Sequence, residues 1–282
     1  MVLDHGRCCD ADEMVSEKYT HGHPASVLRS HRWRTAENSA AYLLPQLRPG
    51  LDVLDVGCGP GTITIDLARI VGAGHVVGLD GAASAIEVAR ESAASAEVDV
   101  EFAVGDAYEL SFEDDRFDVV HAHQLLQHLA DPVAALQEMR RVCRPGGTVA
   151  VRDADYAAMT WWPLDPRLNR WLDLYRAAAR ANGGEPDAGR RLIGWARTAG
   201  FADLRPSASV WCFAEPESRA WWAETWAERS TDSPLSEQLV REGLATQAEL
   251  QAIGNAWHEW SQNLDGWFAV VHGELLATVP EA

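Results

Sequence analysis

Three glycines in five residues, Gly57, Gly59 and Gly61, close the apolar run Val53-Leu54-Asp55-Val56 and stand before Thr62. Glycines there let the chain turn sharply and let a ligand touch bare backbone, while a helix N-terminus just beyond offers N–H groups and positive potential. The expectation is that open amides beside Gly57 and Gly59 hold a polar or anionic tail. Asp80 ends the next apolar run, 19 residues past Gly61, where a carboxylate can accept hydrogen bonds from both hydroxyls of a ribose. Together these features predict a nucleoside ligand. The spacing also separates two kinds of nucleoside. A dinucleotide loop reads Gly-x-Gly-x-x-Gly/Ala, but counted from Gly57 the sixth position is Thr62 and the glycine comes one place early at Gly61. A nicotinamide-dependent oxidoreductase is therefore the weaker alternative.

The elements that must position these residues follow from periodicity. From residue 51 short apolar runs alternate with helical patterns, as in a parallel sheet wound with helices. Strands are predicted at 53–56, 75–80, 100–104, 117–122 and 148–153, with helices at 62–71, 82–96 and 132–143. A helix over 190–199 ends at Gly200, a strand covers 202–213, and the run from Gly266 through Thr278 adds a seventh strand. Two segments, Trp161 to Gly183 and Glu215 to Asn263, fall outside the repeat and are read as helical caps. The resulting boundaries are a helical lid over 1–50, a core over 51–160, a cap over 161–188, core again over 189–214, a second cap over 215–263 and the last strand over 264–282. Eleven of the twelve tryptophans lie after residue 160. They either pack the cap or line a pocket for an apolar or aromatic ligand at the ligand-binding edge of the sheet.

The block Asp55 to Gly61 resembles motif I of the class I S-adenosylmethionine-dependent methyltransferases. The likeness runs through residues 51–153, with Asp80, Gly105-Asp106-Ala107, Phe117-Asp118-Val119-Val120, Gln127-His128-Leu129-x-Asp131-Pro132 and Arg140-Arg141-Val142-x-Arg144-Pro145-Gly146-Gly147 in order. It is most similar to the ubiquinone/menaquinone-biosynthesis type and to natural-product relatives. The resemblance implies a Rossmann-like, doubly wound, seven-stranded, mostly parallel α/β sheet with helical cap insertions. It implies S-adenosyl-L-methionine as cofactor. The methionine part would lie near Asp55, Gly57, Cys58, Gly59, Gly61 and Thr62, the ribose at Asp80 and Gly81, and the adenine at Gly105, Asp106 and Ala107. His123, Gln124 and His128 would border cofactor and acceptor, and Tyr19 and Arg32 would reach in from a lid. His128, Tyr19 and His123 are the candidate catalytic groups.

A sulfonium already makes its methyl group electrophilic. The protein must align a nucleophile about 3 Å behind that carbon, exclude water and take up a proton where needed. Carbon or oxygen of an electron-rich ring, an indole among them, is the expected nucleophile. A cyclase or a non-transferring binding protein that keeps the same cofactor stays open. After strand four His121-Ala122-His123-Gln124 stands where enzymes that methylate base nitrogen carry Asn/Asp-Pro-Pro-Tyr. A formal charge of -18 opposes phosphate backbones and anionic lipid surfaces. The partner expected is a small-molecule acceptor, with no nucleic acid and no membrane. No metal site is expected either, because His121, His123 and His128 lack a completing carboxylate. The acidic opening lacks a secretory pattern, and the odd cysteine count points to free thiols, so a cytoplasmic enzyme is expected.

Overall fold

The computed structural model describes residues 33–72 and 75–281. Tyr19 and Arg32 lie outside the described residues. Helix α1 (Ala36–Ser39) leads into strand β1 (Val53–Val56), helix α2 (Thr62–Val71), β2 (Val76–Asp80), α3 (Ala83–Ser95), β3 (Glu101–Val104) and β4 (Phe117–His123). Then follow α4 (Pro132–Val142), β5 (Cys143–Ala154), β6 (Thr160–Trp162), α5 (Pro166–Ala181), α6 (Leu192–Thr198) and β7 (Asp203–Phe213). Helices α7 (Pro216–Thr231), α8 (Pro234–Arg241) and α9 (Gln247–Gln262) precede β8 (Trp267–Thr278).

β1 is buried at all four of its positions, as expected of a strand with helices on both faces. It pairs in parallel with β2 on one side and β4 on the other, and β3 and β5 extend the parallel sheet outward. The register sets Asp55 opposite His121 of β4 and Gly78 of β2. A β-carbon at Gly78 would fall 2.6 Å from the Phe102 ring, so this strand position needs glycine. β8 runs antiparallel to β5 and β7.

The sheet holds eight strands rather than the expected seven. The extra one is β6, in a segment read from sequence as helical cap. After β5 pairs residues 148–154 with 278–272, the chain makes a short 3₁₀ turn at Tyr156–Ala158 and rejoins the same edge of β8, setting Thr160 to Trp162 opposite Ala269 to Trp267. One strand position is thus occupied twice, and the column count stays at seven. β5 also begins earlier than expected, at Cys143, because the turn at Gly146 is absorbed as an irregularity in its pairing with β4.

Helices α5, α7, α8 and α9 cover the β6 end of the sheet around an aromatic core. Trp171 meets Trp226 and Trp257 edge-on at 4.5 and 4.8 Å, and Trp222 stacks on Phe213 at 4.3 Å. The indole N–H groups of Trp171, Trp222 and Trp257 are buried with no acceptor among the described residues. These three indoles are therefore held by shape and apolar area, whereas Trp260 and Trp211 at the edge of the cluster donate to Trp162 O and Asn38 O.

Candidate active site

The carboxyl ends of β1, β2, β4 and β5 open into one cavity of about 410 Å³. The glycine loop forms one wall. Gly57, Gly59 and Gly61 hold φ of +73°, +53° and +77°, the region only glycine enters without penalty. Space is limiting as well: a β-carbon at Gly57 would lie 3.0 Å from Leu125 Cδ1, and one at Gly61 would lie 2.9 Å from Phe102 Cζ.

The amides of this loop are not open, and here the structure corrects the sequence reading. Gly57 and Cys58 both donate to Leu79 O at 2.7 and 3.0 Å, Gly61 donates to Cys58 O, and Gly59 donates to Asp80 Oδ2 at 2.9 Å. The sharp turn folds its donors back onto β2. What it leaves toward the cavity is backbone surface and the first turn of α2, whose amides have no intrahelical acceptors and whose cap, Gly61, has no side chain to satisfy them.

Asp80 lines the cavity with Oδ2 on Gly59 N and Oδ1 on Ala82 N, 2.9 Å each. It fastens the glycine loop to the start of α3 while presenting a carboxylate edge. Asp55 is 2 % exposed, its Oδ1 lies 2.7 Å from His121 Nδ1, and Thr64 Oγ donates to its Oδ2 at 2.6 Å. Both oxygens are thus taken up by the fold. The buried thiol of Cys58, also in the wall, is pushed well up by burial and then by Asp55 and Asp80. Gly81 and Thr62 line the cavity, whereas Gly61, Gly105, Asp106 and Ala107 do not. The Asp106 carboxylate is exposed and accepts from Tyr108 N at 2.9 Å, which makes it a turn cap here.

Beyond β4 lie the titratable groups. Gln127 Oε1 accepts from Ala154 N at 3.2 Å, which turns its Nε2 toward His128 Nε2, 3.0 Å away. The amide can only donate, so that imidazole nitrogen is an acceptor already engaged. Burial, then Arg34 and Arg229, hold His128 down at about 3. His123 differs. It lines the same cavity at 5 % exposure, and neither ring nitrogen has a partner among the described residues. Burial first, then Arg34 and Arg152, keep it neutral by lowering its pKa well below the usual range. Of the two histidines the sequence singled out, His123 keeps a lone pair for a ligand.

Gln124, at φ +51°, is one of few non-glycine residues in the left-handed region, a strain that persists only where the surroundings enforce it. Its Oε1 accepts from Arg34 Nη2 at 2.6 Å and its Nε2 lies 2.8 Å from His272 Nε2. It therefore ties the segment before β1 to β8.

Sequence reasoning missed Arg34, Tyr156, Met159 and Arg229 and left the lining tryptophans unassigned. Trp211, Trp221, Trp222 and Trp226 line the end of the cavity away from the glycine loop. A signal for Arg229 was present: Trp222, Trp226 and Arg229 fall at i, i+4 and i+7 of α7, which puts a cation on the apolar face of the helix.

Comparison with known proteins now bears on this geometry. A family model described as a methyltransferase domain matches residues 47–194. An uncharacterized methyltransferase of Schizosaccharomyces pombe is 34% identical over 267 residues, 92% of this chain and 95% of that protein. The demethylmenaquinone methyltransferase of Staphylococcus aureus is 45% identical over 104 residues, 36% of this chain and 43% of that protein. Among solved structures, phosphoethanolamine N-methyltransferase 2 of Haemonchus contortus, in complex with phosphomonomethylethanolamine and S-adenosylhomocysteine, superposes with a TM-score of 0.55 at 21% identity, over 86% of this chain and 52% of that one. At that identity the likeness is one of fold. The chain belongs to the methyltransferase-domain family and is a class I S-adenosylmethionine-dependent methyltransferase. No helix among the described residues is long and apolar enough to cross a membrane.

Proposed function

We propose that the chain transfers the methyl group of S-adenosylmethionine to carbon or oxygen of a small aromatic acceptor, with His123 as the base. The observation that carries this reading is that one continuous cavity joins the glycine loop and Asp80 to His123 and the tryptophan wall. Negative charge at one end, from Asp55 and Asp80, suits a sulfonium and an ammonium. The aromatic end suits a flat acceptor. Bound there, the cofactor would supply an activated methyl group. In this reading Asp80 accepts from ribose hydroxyls, Gly57 and Gly59 allow close approach of the methionine part, and Asp106 with the Ala107 backbone lies toward the adenine beyond the cavity rim.

His123 takes the proton released when an acceptor hydroxyl or ring carbon is methylated. Its depressed basicity does not disqualify it, because a carbon or phenol that becomes cationic on methylation is a strong acid. His128 holds the acceptor side of the cavity in shape through Gln127. The tryptophans exclude water that would otherwise compete as nucleophile. Free Cys58, Cys143 and Cys212 suit a reducing, cytoplasmic setting.

Calorimetric titration with S-adenosylmethionine, followed by incubation with a methyl-labelled donor and a panel of phenols and indoles, tests the assignment. Binding with transfer to at least one acceptor is expected. Binding without transfer across the panel would favour a cyclase or a non-transferring protein, and silence toward the sulfonium would reject the cofactor assignment.

A further inference from the structure

A proton handed to His123 has no stable resting place on that ring. Arg34, Arg152 and His272 face it from the segment before β1, from β5 and from β8, and two guanidinium charges oppose a third positive charge in a buried site. Two residues back along β4, on the same face of the sheet, His121 stands in the opposite setting. It is 0 % exposed, and its Nδ1 lies 2.7 Å from Oδ1 of Asp55, its partner in the β1–β4 register. A carboxylate only accepts, so Nδ1 carries the hydrogen and Nε2 the lone pair. That Nε2 is buried without a partner among the described residues, as are both nitrogens of His123. Thr64 Oγ donates to the other Asp55 oxygen at 2.6 Å, which holds the His121–Asp55 pair in one orientation and leaves Nε2 as its unused atom. The two histidines are roughly 7 Å apart at Cα, twice the rise of a strand. Unpaired buried polar atoms at that separation are the partners a buried water requires.

We propose that His121 and Asp55 form a proton relay behind His123, reached through one buried water. The relay rests on the reading of His123 as the base of a methyltransferase site. The acceptor atom forms its new bond to the methyl carbon while the bond from that carbon to sulfur breaks, and the sulfur keeps the electron pair. The acceptor's O–H or ring C–H bond gives its proton to one nitrogen of His123, the hydrogen on the other nitrogen passes to the water, and the water passes one of its own to His121 Nε2. His123 ends neutral with its tautomer exchanged. The positive charge ends on His121 against the Asp55 carboxylate rather than beside Arg34 and Arg152, which is the role a carboxylate plays toward a histidine in a catalytic triad. When product leaves and solvent enters the cavity, the proton returns by the same path. His121 does not line the cavity and acts only through His123, so it is a positioning residue.

Imidazole nitrogen NMR spectra of the full chain loaded with adenosylhomocysteine should show His121 as the Nδ1–H tautomer. An Nε2–H ring has no lone pair to offer the water and would overturn the relay. Turnover is then measured with whichever phenol or indole of the panel the wild-type chain methylates. Its kcat should depend on the deuterium fraction of the solvent with the curvature of more than one proton in flight. His121→Asn sets an amide nitrogen where Nδ1 stands, which keeps a donor for Asp55 and removes Nε2. In that variant kcat should fall about tenfold or more, the lower part of what a positioned base contributes, and the deuterium dependence should become linear. The acceptor KM and adenosylhomocysteine affinity should stay as they were. Circular dichroism establishes that the variant is folded; if it is not, the wild-type curvature decides. An unchanged kcat in folded His121→Asn, or a linear or absent deuterium dependence in the wild-type chain, overturns the proposal. Adenosylhomocysteine binding without transfer to any acceptor removes the reading of His123 as base and the relay with it. Transfer that is indifferent to His121→Asn removes the relay alone.

Discussion

The two ends of the cavity are built by opposite means. The glycine end comes from one short stretch, β1 to α2 with Asp80 opposite, and its polar groups are nearly all used by the fold itself: Gly59 N on Asp80, Thr64 on Asp55, Asp55 on His121. The tryptophan end draws residues from Arg34, the β4 exit, Tyr156, β7 and α7, and much of it is held by contact between rings. A site that must fit one fixed cofactor is made of backbone conformation and saturated hydrogen bonds. One that must fit a particular acceptor is made of large side chains on cap helices, where a substitution alters shape without disturbing the sheet.

This contrast breaks most readily at Trp226, which is 1 % exposed at the centre of the cap cluster. Trp226→Ala should cost about 3 to 5 kcal/mol of stability, the usual range for emptying so large a core site, measured by urea unfolding. Cofactor affinity of the folded fraction should change little. A matching loss of adenosylhomocysteine binding would show that the two ends are one cooperative unit and that the contrast is false. At the other end Gly61→Ala forces a side chain into a +77° conformation with Phe102 2.9 Å away. It should cost about 1 to 3 kcal/mol and should abolish detectable cofactor binding in calorimetry.

The same contrast explains what the sequence revealed. The glycine end was legible because a turn with three positive-φ glycines and a carboxylate at the end of the next strand leave marks at fixed spacing, and the sheet was legible because its strands are short apolar runs between helical patterns. What spacing could not show was where the loop amides point: they face Leu79 and Asp80 rather than the cavity. β6 was hidden because Thr160 to Trp162 form only a three-residue strand whose partner lies over a hundred residues later. The tryptophan end was legible only as composition. Which rings face the cavity depends on how α7 lies over β7, and Arg229 was obscured because arginine on a helix is usually a solvated side chain. The choice between His123 and His128 was ambiguous for a related reason, since spacing does not show that Gln127 Nε2 engages the His128 ring while both His123 nitrogens stay without a partner among the described residues.

Acid should act on the tryptophan end before the glycine end. His123, His128 and His272 are buried and neutral, each with its pKa lowered chiefly by burial. As pH falls below about 6.5 the unfolded chain takes up protons that the native chain refuses, down to about 3 for His128. Native stability is therefore present above that range and lost as pH falls through it, by up to about 1.4 kcal/mol per pH unit for each histidine. Urea midpoints from pH 7.5 to 5 should show the drop, and His272→Gln should make it shallower by removing one of the three contributions. A flat profile would mean that these rings are protonated in the native state. At the glycine end Asp80→Ala should weaken adenosylhomocysteine binding by about 1 to 3 kcal/mol. Asp80→Asn keeps an acceptor for only one of Gly59 N and Ala82 N and sets an amide donor against the other, so it should lose affinity on the same scale. Equal affinity for both variants and wild type would leave Asp80 as a loop fastener alone.

The smallest effect expected is at Asp153, beneath the junction of the two ends. Its carboxyl is fully buried, with Oδ1 accepting from Gln127 N at 3.0 Å and Oδ2 without a partner among the described residues. Burial pushes it up to about 7 against the opposing pull of the Gln127 amide and of Arg152. Between about pH 4 and 7 the native state holds a proton that the unfolded chain releases, so this group favours folding on the acid side and loses that contribution as pH rises through 7. The sign is opposite to that of the histidines, and the two trends should leave maximal stability near neutrality. Asp153→Asn keeps the acceptor for Gln127 N but buries an amide donor where Oδ2 had no partner, which takes back part of the gain. The net result should be about 1 kcal/mol of added stability at pH 8 and none at pH 5, read from urea midpoints at the two values. A gain of equal size at both would mean that Asp153 is ionised throughout and that its pairing with Arg152 outweighs the burial.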